Sequence, residues 1–265
     1  MKFELIINGA AGRMGRRLIA LAAGSDKLTL VAACDVASHP DIGKDVGILA
    51  AIEHLGVELG ADFGQKADIM IDFSLPQAAD SVIEYCADNN IALVSGTTGL
   101  SEDQIEKIQI ASQKIPIVRA SNFSIGMNLL FDLVGKAAQT LGDSYDIELI
   151  ETHHKGKKDS PSGTALTLAE NIARASGMDF PDCLVQGRQG PDALRQKGTI
   201  GIHAVRAGDI VGQHSVIYAT DGESVTLSHN ATSRDTFAKG AILAAEWLMD
   251  KEPALYSMAD VIKKS

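Results

Sequence analysis

The sequence predicts an α/β protein in two parts: a doubly wound parallel sheet, then a second α+β part with a mixed, largely antiparallel sheet. Three observations predict it. Apolar β-rich runs alternate with helical segments as far as Arg119, which calls for a parallel sheet covered on both faces. After Asn122 the alternation gives way to β-rich runs joined by short connections, RAGD and TDGES, that read as hairpins. The chain's 265 residues also suffice for two modest domains, each with a core of its own.

Taken in order, Phe3 to Asn8 is a short apolar strand, and Arg16 to Ala23 has helical character after a glycine turn. Leu28 to Cys34 and Ile69 to Phe73 are further strands. Pro76 suits the first turn of a helix running toward Asn89. Ala92 to Ser95 is the fourth strand, and Ser101-Glu102-Asp103-Gln104 opens the next helix with a capping-box pattern. Ile115 to Arg119 closes the series. A helix over Met127 to Leu141 then leads to a strand, Tyr145 to Thr152, and residues 164–175 read as helix. The Gly- and Pro-containing stretch 177–198 reads as a long loop. Strands follow at Ile200 to Val205, Ile210 to Ala219 and Ser224 to His229, and residues 235–249 make a last amphipathic helix.

Composition excludes several classes. A formal net charge of −10 argues against a general nucleic-acid binder. No apolar run is long enough to span a bilayer, and the N-terminus enters a strand without a signal-peptide pattern. Cys34, Cys86 and Cys183 have neither disulfide nor metal spacing, so reduced thiols in a cytoplasmic protein are expected.

NGAAGRMG puts Gly9, Gly12 and Gly15 between the first strand and the first helix. This is a variant of the Rossmann dinucleotide turn: the first glycine turns tightly, small residues admit a pyrophosphate, and the helix N-terminus supplies amides. Asp35, at the end of the second strand, is placed to accept hydrogen bonds from the adenosine ribose and to repel a 2′-phosphate, and Val36 brings no counter-charge. NADH is therefore the favoured cofactor, with NADPH possible. GTTG, with Gly96, Thr97 and Thr98, follows the fourth strand, and ASNF, Ala120 to Phe123, follows the fifth. Loops at these strand ends are where such sheets bind ligands.

ETHHKGKKDSPSGTA, residues 151–165, gathers titratable and positive charge just before a helix start in an acidic chain. It is either a solvated loop or a site that binds a dianion and protonates it. A joint metal site is disfavoured, because His153 and His154 are neighbours that a strand sends to opposite faces. The remaining histidines, including His203 and His214, are expected in surface or satisfied structural roles.

GAAGRMG, DFS at 72–74, SGTTGLS, SNFSIGMN, E-T-H-H-x-x-K-x-D-S-P-S-G-T-A and VRAGDIVGQH occur here in this order. Together they closely resemble the 4-hydroxy-tetrahydrodipicolinate (dihydrodipicolinate) reductase family of diaminopimelate and lysine biosynthesis, over nearly the whole chain. The resemblance implies a dinucleotide-binding domain at 1–124, completed by 234–265, a substrate-binding and tetramerisation domain at 125–233, and a homotetramer. It places the catalytic acid on His153, a second catalytic or orienting cation on Lys157, and substrate contacts on His154, Gly163 and Thr164. Cofactor contacts fall on Gly9, Ala10, Ala11, Gly12, Arg13 and Met14, on Asp35, on Gly96 to Thr98, and on Ala120, Ser121, Asn122 and Phe123. Arg234 matches a basic residue near the site.

The family's chemistry accounts for the charges. Its substrate is a cyclic imine dicarboxylate; hydride adds at C4 and the resulting enamine takes a proton on the neighbouring carbon. A histidine suits that proton transfer. A lysine suits a carboxylate and developing negative charge, and amides at a helix start suit the other carboxylate. Two alternatives are another Rossmann-type dehydrogenase of a small amino or keto acid, which would not need the His-His-Lys run, and a non-enzymatic dinucleotide-binding regulator, which would not need a proton donor.

Overall fold

A computed structural model describes residues 2–64 and 66–263 of the chain. They form two compact units, Met1–Ile125 with Arg234–Ser265, and Gly126–Ser233.

The first unit carries strands β1 (Phe3–Asn8), β2 (Leu28–Cys34), β3 (Leu59–Gly60), β4 (Ile69–Asp72), β5 (Ala92–Ser95) and β6 (Ile117–Arg119), with the late strand β12 (Leu255–Tyr256). Their order is β12-β6-β5-β4-β1-β2-β3, and every neighbouring pair is parallel. The period-2 alternation of the strands divides the core. Leu5, Ile7, Ile71, Val94 and Val118 face helices α1 (Arg13–Ala22) and α7 (Asp235–Leu248). Ile6, Met70, Leu93 and Ile117 face α3 (Ala79–Asn89) and α4 (Glu102–Ala111). Each such side chain, fully buried, contributes roughly 1.5–3 kcal/mol. Truncating one, Ile71→Ala for instance, would cost about 2–5 kcal/mol.

The capping box at α4 forms as its sequence predicts: Gln104 N–H donates to Ser101 Oγ, and Ser101 N–H donates to Gln104 Oε1. Short elements beyond those expected also occur: α2 (Val46–Leu49), β3, β12 and α8 (Met258–Ile262). Winding runs outward from β1 in both directions, so the β1–β4 boundary is the topological switch point where such sheets open a crevice.

The second unit holds α5 (Ile125–Leu141), β7 (Asp146–His153), α6 (Gly163–Ser176), β8 (Leu184–Gln186), β9 (Ile200–Arg206), β10 (Gly212–Thr220) and β11 (Glu223–Ala231), with sheet order β11-β10-β7-β9-β8. TDGES is the hairpin its sequence predicts, with Thr220 opposite Glu223. RAGD is not. β7 lies between β9 and β10, parallel to the first and antiparallel to the second. The connection is tied to the end of β7 instead, through Ala207 N–H to the His153 carbonyl and Lys155 N–H to the Gly208 carbonyl. β8 falls inside the stretch expected as loop, so the sheet has parallel pairs as well as antiparallel ones.

Helices α5 and α6 cover one face of this sheet, where Ile147, Leu149, Ile202, Val216 and Tyr218 are buried, and the Tyr218 hydroxyl donates to the Val134 carbonyl. On the other face Ile150 and Val205 keep substantial exposure. No helix among the described residues is long and apolar enough to cross a membrane.

Candidate functional site

β7 is apolar on its helix-covered face at first and polar at its end. Ile147 and Leu149 are followed on the same face by Glu151, fully buried, and His153, 9 % exposed. Register adds to them. Arg206 of β9 lies opposite His153, and His214 of β10 lies opposite Glu151. Four polar side chains thus cluster where the apolar core stops.

Glu151 accepts from four donors. Arg206 gives Nη1–H to Oε2 at 2.8 Å and Nη2–H to Oε1 at 2.9 Å, and the Ser162 amide gives a third bond to Oε1 at 3.1 Å. His153 Nδ1 is 2.5 Å from Oε2. An ionised carboxylate only accepts, so Nδ1 carries the hydrogen. Burial alone would raise the Glu151 pKa, but Arg206 and His153 outweigh it and hold the group below the usual range. For His153, burial pulls the pKa down and Glu151 pushes it up, while Lys157 and Arg206 add to the lowering. His153 Nε2 faces Gly212, where a Cβ would come within 3.2 Å. Glycine there spares the nitrogen the tight contact that a side chain would make.

α6 starts beside this cluster. Ser162 is its N-cap: Oγ accepts from Ala165 N–H at 3.1 Å, and the Ser162 carbonyl accepts from Leu166 N–H. Gly163 and Thr164 form the first helical positions, at the positive end of the helix. Ser162 Oγ also lies 3.1 Å from His214 Nε2. His214 is deeply buried, which pushes its pKa down to about 3, and its Nδ1 has no hydrogen-bond partner among the described residues.

Along the loop after β7, Lys155 and Lys158 are exposed, whereas Lys157 is drawn inward and holds both Asp159 oxygens, at 2.8 and 2.7 Å. His154 follows the last strand residue and is half-buried. His153, Lys157, Gly163 and Thr164 therefore belong to one strand end, one loop and one helix start. Sequence reading missed Glu151, Arg206, Ser162 and His214 as members of the site. Glu151 was within reach, because residues two apart on a strand share a face. His214, expected as surface or structural, is buried beside the site.

In the first unit, a cleft of about 720 Å³ opens at the carboxyl ends of β1, β2 and β4, lined by Gly9, Ala11, Gly12, Asp35, Val36, Phe73 and Ser74 among others. Gly9 has φ +74°, and a Cβ there would lie 2.6 Å from the Phe73 carbonyl oxygen, so only glycine fits the turn. Ala10 N–H donates to the Cys34 carbonyl, and Ala11 N–H donates to Asp35 Oδ2 at 3.0 Å. Val36 N–H reaches the other oxygen, Oδ1, at 2.9 Å. Asp35 thus locks the glycine turn to the end of β2. Arg13 and Met14 begin α1.

The other expected cofactor residues differ in what they offer. The Thr97 hydroxyl donates to the buried Asp72, which also accepts from Asn8 Nδ2, whereas Thr98 is exposed. Gly96 packs on the Phe73 ring. Phe123 is buried against Phe73 with ring centroids 5.4 Å apart, so its ring supports the loop from beneath. Ala120 and Asn122 are half-buried and Ser121 is exposed. Ser74 was not foreseen; it lines the cleft, and its buried Oγ has no partner among the described residues. A long polar ligand fits a cleft with an open glycine turn, the Asp35 carboxylate and the Ser74 hydroxyl along its wall.

Two family models match the chain, "Dihydrodipicolinate reductase, N-terminus" over residues 3–123 and "Dihydrodipicolinate reductase, C-terminus" over residues 126–262. Among curated relatives, the 4-hydroxy-tetrahydrodipicolinate reductase of Alkalilimnicola ehrlichii is 46% identical over 265 residues, 99% of each chain. That of Pseudoalteromonas atlantica is 48% identical over 263 residues, 98% of each. Among solved structures, a dipicolinate-bound dihydrodipicolinate reductase from Paenisporosarcina sp. TG-14 is 26% identical, covers 99% of this chain and 100% of its own, and superposes with a TM-score of 0.73.

Proposed function

The chain belongs to the dihydrodipicolinate reductase family, and from that membership we propose how its own residues carry out the reaction. It is an oxidoreductase of diaminopimelate and lysine biosynthesis that reduces 4-hydroxy-tetrahydrodipicolinate to tetrahydrodipicolinate. Its cofactor is a pyridine nucleotide, and its substrate a small dicarboxylate, in keeping with the dipicolinate bound to the Paenisporosarcina relative.

The nicotinamide, when bound, supplies the hydride. Gly9 to Met14 would hold the pyrophosphate on the turn and the start of α1, with Asp35 on the adenosine ribose. Thr98 and the loop Ala120 to Asn122 would take the nicotinamide half. NADH is preferred in this reading: Asp35 is acidic, two of its hydrogen bonds already come from backbone amides, and Val36 adds no positive charge.

One observation carries the proton transfer. His153 has its Nδ1 hydrogen committed to Glu151, which leaves Nε2 to hold the second proton and deliver it to the substrate carbon. Lys157 turns its ammonium from Asp159 to a substrate carboxylate and to charge developing in the ring. The amides of Gly163 and Thr164 take the other carboxylate at the start of α6, with His154 beside it. A homotetramer through the open face of the second sheet follows the same reading, since Ile150 and Val205 are left partly exposed there. Three buried free thiols favour a cytoplasmic setting.

The test is consumption of NADH with enzymatically generated 4-hydroxy-tetrahydrodipicolinate. Rapid oxidation is the expected result. Oxidation only with another small keto or amino acid, or none with any, would overturn the assignment.

A further inference from the structure

We propose that Glu151 is the positioning residue of the proton donor: it fixes one hydrogen of His153 on Nδ1, so that the proton given to the substrate leaves from Nε2, and it ties that donor to the helix start that receives the substrate. The proposal rests on His153 being the acid.

A buried carboxylate is expensive to keep, and an apolar side chain of similar volume often serves stability equally well. Glu151 is fully buried, yet its two oxygens are divided among three elements. Oε1 receives Arg206 Nη2–H and the Ser162 amide, and Oε2 receives Arg206 Nη1–H and His153 Nδ1–H. A mere ion pair with Arg206 needs neither His153 nor Ser162. Arg206 is itself held by the Asp159 carbonyl, 2.7 Å from Nη2, so the carboxylate cannot swing away.

Among the described residues, the charged and titratable groups around His153 stand on several elements, with His154 next to it in the chain. Glu151 stands on its own strand, Arg206 on β9 and His214 on β10, while Lys157 and Asp159 stand on the following loop. Asp159 is taken by Lys157, and burial keeps His214 neutral. Glu151 is therefore the carboxylate left to support an imidazolium. In the transfer, the Nε2–H bond breaks and its electron pair stays on the ring. The enamine's electron pair forms the new C–H bond. His153 ends neutral with hydrogen still on Nδ1, Glu151 gains no proton, and solvent water restores the proton to Nε2.

The experiment is nitrogen NMR titration of histidine-labelled enzyme, read beside the pH profile of kcat. In Glu151→Gln, His153 should titrate lower by about one pH unit or more, as expected for losing an opposite charge in contact. Its neutral form should no longer be a single Nδ1–H tautomer. The alkaline limb of kcat should move the same way, with dinucleotide affinity unchanged. Arg206→Gln removes a cation and should shift His153 upward. A purely structural network would loosen in both variants and move both the same way, and that result would overturn the proposal. So would an unchanged titration and tautomer in folded Glu151→Gln. If that variant does not fold, the sign of the Arg206→Gln shift decides alone: upward supports, zero or downward overturns. Because the resonance reports His153 directly, failure of the acid assignment itself would show separately, as normal turnover in His153→Gln.

Discussion

Ser162 Oγ lies 3.1 Å from Nε2 of His214 and accepts from the Ala165 amide at the same distance. The hydroxyl keeps a second lone pair, so either it or the imidazole can donate across this contact, and His214 is neutral. Burial is the main reason its pKa falls to about 3 from an ordinary 6.5. A folded-state pKa below the unfolded one means that the unfolded chain binds the extra proton first. Stability should therefore fall as pH drops from about 6.5 toward 3. Urea midpoints measured from pH 7 down to pH 4 should decline in the parent enzyme, and less steeply in His214→Gln. Parallel pH dependences would show that His214 is not the group responsible.

Asp35 spends one oxygen on Ala11 N–H and the other on Val36 N–H, with lone pairs left for a ribose. Asp35→Asn should weaken NADH binding roughly 10-fold or more, the size of a hydrogen bond to a charged group. Removing the negative charge should also raise NADPH affinity relative to NADH. Dissociation constants for both nucleotides check this, and an unchanged ratio would contradict the ribose role.

Lys157 is held by both carboxylate oxygens of Asp159. Replacing it with alanine should raise KM for the dicarboxylate and lower kcat together. The combined loss in kcat/KM should be roughly 10–100-fold, again one charge-assisted contact. Dinucleotide affinity, measured by fluorescence titration, should stay as it was. A fall in cofactor affinity instead would place Lys157 at the other ligand.

Most of the first unit was legible because its signals are local. The alternation of strands and helices, the Gly9 turn and the Ser101–Gln104 capping box each lie within a few residues. β12 was not legible, since Leu255 and Tyr256 become a strand only by pairing with Ile117 and Val118, far away in sequence. RAGD misled for a related reason. Its length suits a hairpin, and nothing local says that β7 will lie between the strands it joins. The site shows the same division. His153, Lys157, Gly163 and Thr164 fall in one continuous segment, while Arg206 and His214 reach it only through the register of a sheet. Glu151 needed only the strand period, yet a fully buried carboxylate is intelligible only once Arg206 stands opposite it.

Proton delivery by His153 is tested most directly by kcat of the His153→Gln enzyme at saturating substrate and NADH, with an unchanged melting curve as proof of folding. Loss of a general acid of ordinary effectiveness should lower kcat roughly 10²–10⁴-fold, with a smaller change in KM. Near-normal kcat in that folded variant would contradict the assignment.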